Sequence, residues 1–182
     1  RRSFFQDHGV GLASVRAGNV IGGGDWADDR LIPDIIKAFE SGKILNIRSP
    51  NSIRPWQHVL EPLSGYLILA QKLYEDSKRF SMGWNFGPRD EDAKPVKWIV
   101  NEMHKIWGNN AQWNISEGDH LHEEKYLKLD YSKAKNSLFW EPKLDLKSAL
   151  EMVVEWHKAY INKEDLQEVT IKQIEYYSTI EN

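Results

Sequence analysis

Residues 10–20 (VGLASVRAGNV) form a β-rich run that breaks at Gly22-Gly23-Gly24, and a helical pattern opened by Pro33 follows. A strand that delivers its carboxyl end to a glycine loop is the way α/β folds present a ligand site. No other feature constrains the chain as much. It requires a strand with a helix beside it and makes the loop the first place to look for chemistry.

The alternation continues downstream. Pro33 suits a first helical turn and Gly42 a C′ position, which predicts a helix over 33–41. ILNIR (44–48) alternates like a short strand, SPNS is turn chemistry, and IRPWQHVL (53–60) reads as extended. A helix is expected over 61–78, with Leu63, Leu67, Ala70 and Leu73 forming its buried face. Short strands at 83–86, 111–115 and 125–129 and helices at 95–107, 131–139, 146–161 and 163–180 complete the pattern. Several strands are short and irregular, so a small mixed α/β lobe fits better than a complete doubly wound sheet. No repeat or linker divides the chain. Residues 1–162 are expected to form one compact part, with 163–182 as a helical tail.

Composition narrows the functional classes. A net charge of -3 with interspersed signs gives no basic stripe, so nucleic acid is not an expected partner. No apolar stretch approaches the roughly 20 residues of a membrane span, and no membrane association is expected. The absence of cysteine excludes a disulfide scaffold and cysteine metal sites and fits the cytoplasm. The chain opens on Arg1, as though inside an element, and is expected to be a piece of a longer protein.

Three arginines stand in polar segments: Arg30 before a helix, Arg54 in an extended piece and Arg48 six residues earlier. Guanidinium forks match phosphate bidentately, although any one of them could equally make a surface ion pair. Asn19, at a strand end, can face a ligand or simply form the turn. The glycine triplet admits close approach to the backbone, or supplies turn flexibility alone. His120, His122, Glu123 and Glu124 lack a third histidine at helical spacing, and a metal is not expected there. No G-x-G-x-x-G fingerprint occurs, so the dinucleotide pyrophosphate site is absent from this stretch. Tyr74 with Lys78 and Tyr131 with Lys135 match Tyr-x-x-x-Lys, which could lower a tyrosine pKa for proton transfer. Neither follows a Ser/Thr-bearing strand, and both are read as chance matches.

The string RAGNVIGGGDWA (16–27) followed by DRLIPD (29–34) resembles the extended short-chain dehydrogenase/reductase family, in its nucleotide-sugar dehydratase branch. The resemblance runs on through RPWQHVLEPLSGY (54–66), WNFGP (84–88), His122-Glu123, YLKLDYSKA (126–134) and WEP (140–142). It covers roughly residues 1–160. It implies an amino-terminal Rossmann half that binds NAD and a smaller carboxy-terminal lobe for the nucleotide sugar. The present chain would be that lobe, with the Rossmann half largely missing and no catalytic residue of its own.

Residue by residue, the resemblance implies that Asn19 touches the sugar diphosphate, while the backbone at Val20 lies near the nicotinamide of NAD. Arg30, with Leu31 beside it, and Arg54 would hold phosphates. Asn46 and Arg48 would flank a cytidine base, and His122 would close the pocket. Thymidine-nucleotide relatives carry an aromatic where Arg48 stands, and Lys94 replaces an Asn of a related enzyme. The reaction implied for the whole enzyme is hydride removal from sugar C4, loss of water across C5 and C6, and hydride return to C6. The expected partners are the nucleotide sugar and, in the full-length enzyme, further copies of itself. A same-family epimerase or reductase, and a non-catalytic interaction module, are the rival readings.

Overall fold

The computed structural model describes residues 10–108, 112–115 and 125–181. Their architecture is mixed α/β, as the alternating patterns imply. Gly18 splits the first apolar run into β1 (Ser14–Ala17) and β2 (Asn19–Ile21). A Cβ at Gly18 would stand 2.1 Å from the Pro55 carbonyl oxygen. Only a residue without a side chain lets the backbone come that close. β1 pairs in parallel with β6 (Gly83–Phe86), and β2 pairs in parallel with β5 (Trp56–His58). One run of sequence therefore feeds two separate strand pairs.

Two further pairs occur among the described residues. β3 (Ile44–Ile47) runs parallel with β8 (Gln112–Ile115), and β4 (Ile53–Arg54) runs antiparallel with β7 (Lys94–Pro95). The strand expected over 125–129 reduces to a single bridge between Tyr126 and Ile53. Ile53 accounts for both of its ladder bonds, donating to Lys125 O at 2.9 Å and accepting from Leu127 N at 3.1 Å.

The larger core is helical. α1 (Leu31–Glu40) buries Ile32, Ile35, Ile36 and Phe39 in one cluster with Ile99 and Met103 of α4 (Val96–Trp107) and Leu150 and Val153 of α6 (Leu146–Ile161). A second core gathers Phe80 of α3 (Ser77–Phe80), Trp84 and Phe86 of β6, Leu138 of α5 (Ser132–Leu138) and Trp140. α7 (Leu166–Thr179) starts under an Asp165 cap and packs on α6.

α2 (Leu60–Glu75) corrects one expectation. Its buried residues are Glu61, Pro62, Gly65 and Leu69, whereas Leu67 is 74% exposed and Leu63 and Ala70 are also exposed. The helix is turned because Gly65 lies against Phe86, where a Cβ would stand 2.3 Å from the ring. Glu61 goes in with it because its carboxylate accepts from the Lys143 and Leu144 N–H groups and from the Tyr177 hydroxyl, at 2.9, 2.6 and 2.9 Å. Periodicity counts neither a glycine nor a glutamate as core. The helix also ends at Glu75, where Asp76 leaves helical geometry and caps α3.

Candidate functional site

A cleft of about 530 Å³ opens where β2 ends and α1 begins. β2 contributes Asn19, Val20 and Ile21, the start of α1 contributes Leu31 and Ile32, and the β4–β5 segment contributes Arg54 and Trp56. The whole of β2 thus faces the cleft, with Trp56 from the start of its parallel partner β5. A larger groove of about 760 Å³ runs between α6 and α7, lined by residues such as Glu151, Met152, Lys158 and Gln173. Its lining comes from α4, α6, α7 and Glu164 of the α6–α7 loop, and it holds no strand end.

The cleft collects features that suit an anion. α1 opens at Arg30 without a side-chain cap, so the positive end of its dipole is turned to the cleft that Leu31 and Ile32 line. Arg30 reaches Asp25 Oδ2 at 3.4 Å, in an exposed ion pair that leaves the rest of its guanidinium fork open to a phosphate. Asp25 Oδ1 meanwhile accepts from the Ala27 N–H at 3.1 Å. Arg54 donates to the Ile53 carbonyl at 3.0 Å and stands opposite Lys94 in the β4–β7 register. Like charges at opposed positions concentrate positive potential at this edge. Burial pushes the Asp34 carboxyl in the first turn of the same helix upward, against the lowering effect of Lys37.

Of the residues singled out in the sequence, Asn19, Val20, Arg30, Leu31 and Arg54 come together around this cleft. Asn46 and Arg48 do not line it and are exposed, the first on β3 and the second just beyond it. His122, with His120, Glu123 and Glu124, lies outside the described residues. Asp25, Asp29, Ser52 and Trp56 also line the cleft and were not singled out. The acids carried a signal, since GGGDWADDR sets them in the loop that leads to Arg30. Ser52 and Trp56 carried none.

The glycine triplet serves packing rather than a ligand. A Cβ on Gly22 would meet Val59 at 2.9 Å, and one on Gly23 would meet the Trp156 ring at 2.2 Å. Protein side chains occupy the approach that a phosphate would need. Tyr74 and Lys78 fall on different helices, and Tyr131 and Lys135 sit around the start of α5, with Lys135 paired to Glu141 at 3.0 Å. None of the four lines the cleft.

No family model matches the chain. Its sequence is nevertheless 57% identical to a protein of Salmonella typhimurium over 97% of its own length. It is similar to a CDP-glucose 4,6-dehydratase. The chain spans about half the length of that curated relative, 51%. Solved structures agree on the fold. UDP-N-acetylglucosamine 4-epimerase from Methanobrevibacter ruminantium M1, in complex with UDP-N-acetylmuramic acid, superposes with a TM-score of 0.71 at 16% identity, over 87% of this chain and 50% of its own. UDP-glucose 4-epimerase of Thermotoga maritima, with UDP-glucose, gives 0.66 at 20% identity, over 85% and 48%. dTDP-glucose 4,6-dehydratase of Bacillus anthracis, in complex with NAD, gives 0.64 at 19% identity, over 80% and 44%. Similarity at these identities speaks for the fold alone. Among the described residues, no helix is long and apolar enough to cross a membrane.

Proposed function

We propose that this chain is the nucleotide-sugar-binding part of an NAD-dependent CDP-glucose 4,6-dehydratase. The observation that carries the proposal is the cleft at the end of β2, where Asn19, Arg30 and Arg54 surround the uncapped start of α1. The 57% identity to the Salmonella dehydratase supports the reaction and the base. In this reading Arg30 and Arg54 hold the diphosphate, and Asn19 orients the sugar. Asn46 on β3 and Arg48 just beyond it flank the base, β3 packing beside α1, and His122 closes the pocket. Residues 1–162 form the binding part and 163–182 a helical tail that braces it. The protein works in the cytoplasm, as an assembly of copies.

NAD supplies the hydride acceptor when it is bound. From this chain only the Val20 backbone, which lines the cleft, is assigned to it. The packed glycine triplet does not fit the pyrophosphate, so most of the dinucleotide would be held elsewhere in the enzyme. The chain's own residues bind, orient and screen charge. Positioning of this kind contributes about 7–11 kcal/mol of barrier lowering in well-oriented systems.

Calorimetric titration of the chain with CDP, UDP and dTDP tests the reading. CDP is expected to bind more tightly than either of the others. Cytosine offers an amino donor and a ring acceptor where uracil and thymine offer the reverse, and each mismatch in a built pocket costs about 1–3 kcal/mol. Equal affinity for all three, or no binding of CDP, would overturn it.

A further inference from the structure

The loop that joins β2 to the cleft's arginine is gripped by one face of a distant helix. Trp156, His157 and Tyr160 of α6 surround Trp26. The ring centroids lie 6.4, 5.1 and 4.7 Å from that of Trp26, and His157 meets it edge-on. The Trp156 and Tyr160 rings are nearly parallel, at 5°, with centroids 6.3 Å apart. Trp156 also lies against Gly23, closely enough that a Cβ there would be 2.2 Å from the ring. Its indole N–H donates to the Thr170 hydroxyl of α7 at 3.0 Å.

Between the two gripped residues, Gly23 and Trp26, sits Asp25. Its carboxylate holds Ala27 N through one oxygen and Arg30 through the other. Gly24 (φ 76) and Asp29 (φ 59) take left-handed backbone on either side of Asp25, which turns the loop between the gripped residues and Arg30. The three α6 rings that hold this four-residue stretch thereby set where the tether of Arg30 begins.

We infer that Trp156, acting with Trp26, is a positioning residue for the nucleotide site: it fixes the loop that aims Arg30 at the diphosphate. The inference rests on the nucleotide-sugar reading for the identity of the anion, and on contacts in the chain for everything else. It also gives α7 a part in binding, because Thr170 anchors the indole from the far side.

A double-mutant cycle in the full chain, with CDP as the probe, tests it. Trp156→Ala is expected to raise the dissociation constant roughly tenfold, a loss of about 1.4 kcal/mol. Trp156→Phe, which keeps a ring on Gly23, is expected to change it by less than about threefold. In an Arg30→Ala background, Trp156→Ala should have almost no further effect, whereas general loosening of the fold would add in full. Trp26→Ala carries the same expectation and removes no core side chain, so a poorly folding Trp156→Ala leaves the cycle measurable. The guanidinium nitrogen resonance of Arg30, recorded without ligand, gives a second readout. It should move in Trp156→Ala toward its position in Asp25→Asn. Full additivity, or an Arg30 resonance unmoved in both tryptophan variants, would overturn the inference. A chain that does not bind CDP at all would sink the nucleotide reading, and the resonance alone would then decide the positioning role.

Discussion

The Tyr177 hydroxyl donates a hydrogen bond of 2.9 Å to Glu61 Oε2, linking the last turn of α7 to the first turn of α2 across 116 residues of chain. Glu61 is 1% exposed, and burial pushes its carboxyl upward against the lowering effect of the Leu144, Tyr177 and Lys143 hydrogen bonds. The same hydroxyl lies 3.0 Å from Ser64 Oγ, which in turn accepts from the Trp140 indole at 2.9 Å. Tyr177→Phe is expected to cost about 1–2 kcal/mol, because one buried acceptor loses its donor. Glu61→Ala should cost more, about 3 kcal/mol, since it strands two backbone N–H groups as well. Urea unfolding of the two variants beside the parent measures both, and the order of the two losses is the decisive result.

His58 closes β5 in a buried site, where its Nδ1 accepts from the Leu60 N–H at 3.3 Å. Burial holds its pKa down at about 4, against 6.5 in the unfolded chain. The unfolded state therefore binds the proton first, and stability is lost as pH falls from 6.5 toward 4. The full loss from this group is about 3 kcal/mol. His58→Asn keeps an acceptor for Leu60 and cannot titrate. The stability difference between parent and variant should shrink or reverse over that interval, and a difference independent of pH would contradict the assignment.

Phe139 ends α5 in left-handed backbone (φ 55) with its ring 81% exposed. A bulky residue there pays a steric penalty that glycine does not. Phe139→Gly is expected to stabilise the chain by about 0.5–1 kcal/mol, after the extra entropy of an unfolded glycine is deducted. A shift of the urea midpoint to higher concentration is the outcome to look for.

Arg30→Ala and Arg54→Ala should each weaken CDP binding by about 1.5–3 kcal/mol, the worth of a charge-assisted hydrogen bond. Asn46→Ala and Arg48→Ala, outside the cleft lining, should act on the choice between CDP and dTDP more than on affinity for the shared diphosphate. Titrations of the four variants with both nucleotides separate these effects.

Much of the fold was legible because period and punctuation carried it: Pro33 falls in the first turn of α1, which starts two residues before it at Leu31, Gly42 lies just past its end, and Gly108 ends α4. The buried face of α2 was not, because it is built on a satisfied carboxylate and a missing side chain, and a hydrophobicity pattern registers neither. The split between β1 and β2 depends on a carbonyl contact at Gly18 that only tertiary structure reveals. In the candidate site, arginines and a strand-end asparagine announce themselves by charge and position. The Trp156 grip does not, because it joins residues about 130 positions apart through rings that read as ordinary core.

β1 has a consequence for how the chain behaves in company. Among the described residues it pairs with β6 alone, and Ser14, Val15 and Arg16 are exposed. Such an edge can template the addition of a strand from another molecule. Its defences are brevity and Arg16, the one charge in VGLASVRAGNV. In the reading in which this chain is one part of a longer enzyme, that open edge is where a strand of the other part would add, so that the sheet continues beyond the residues described.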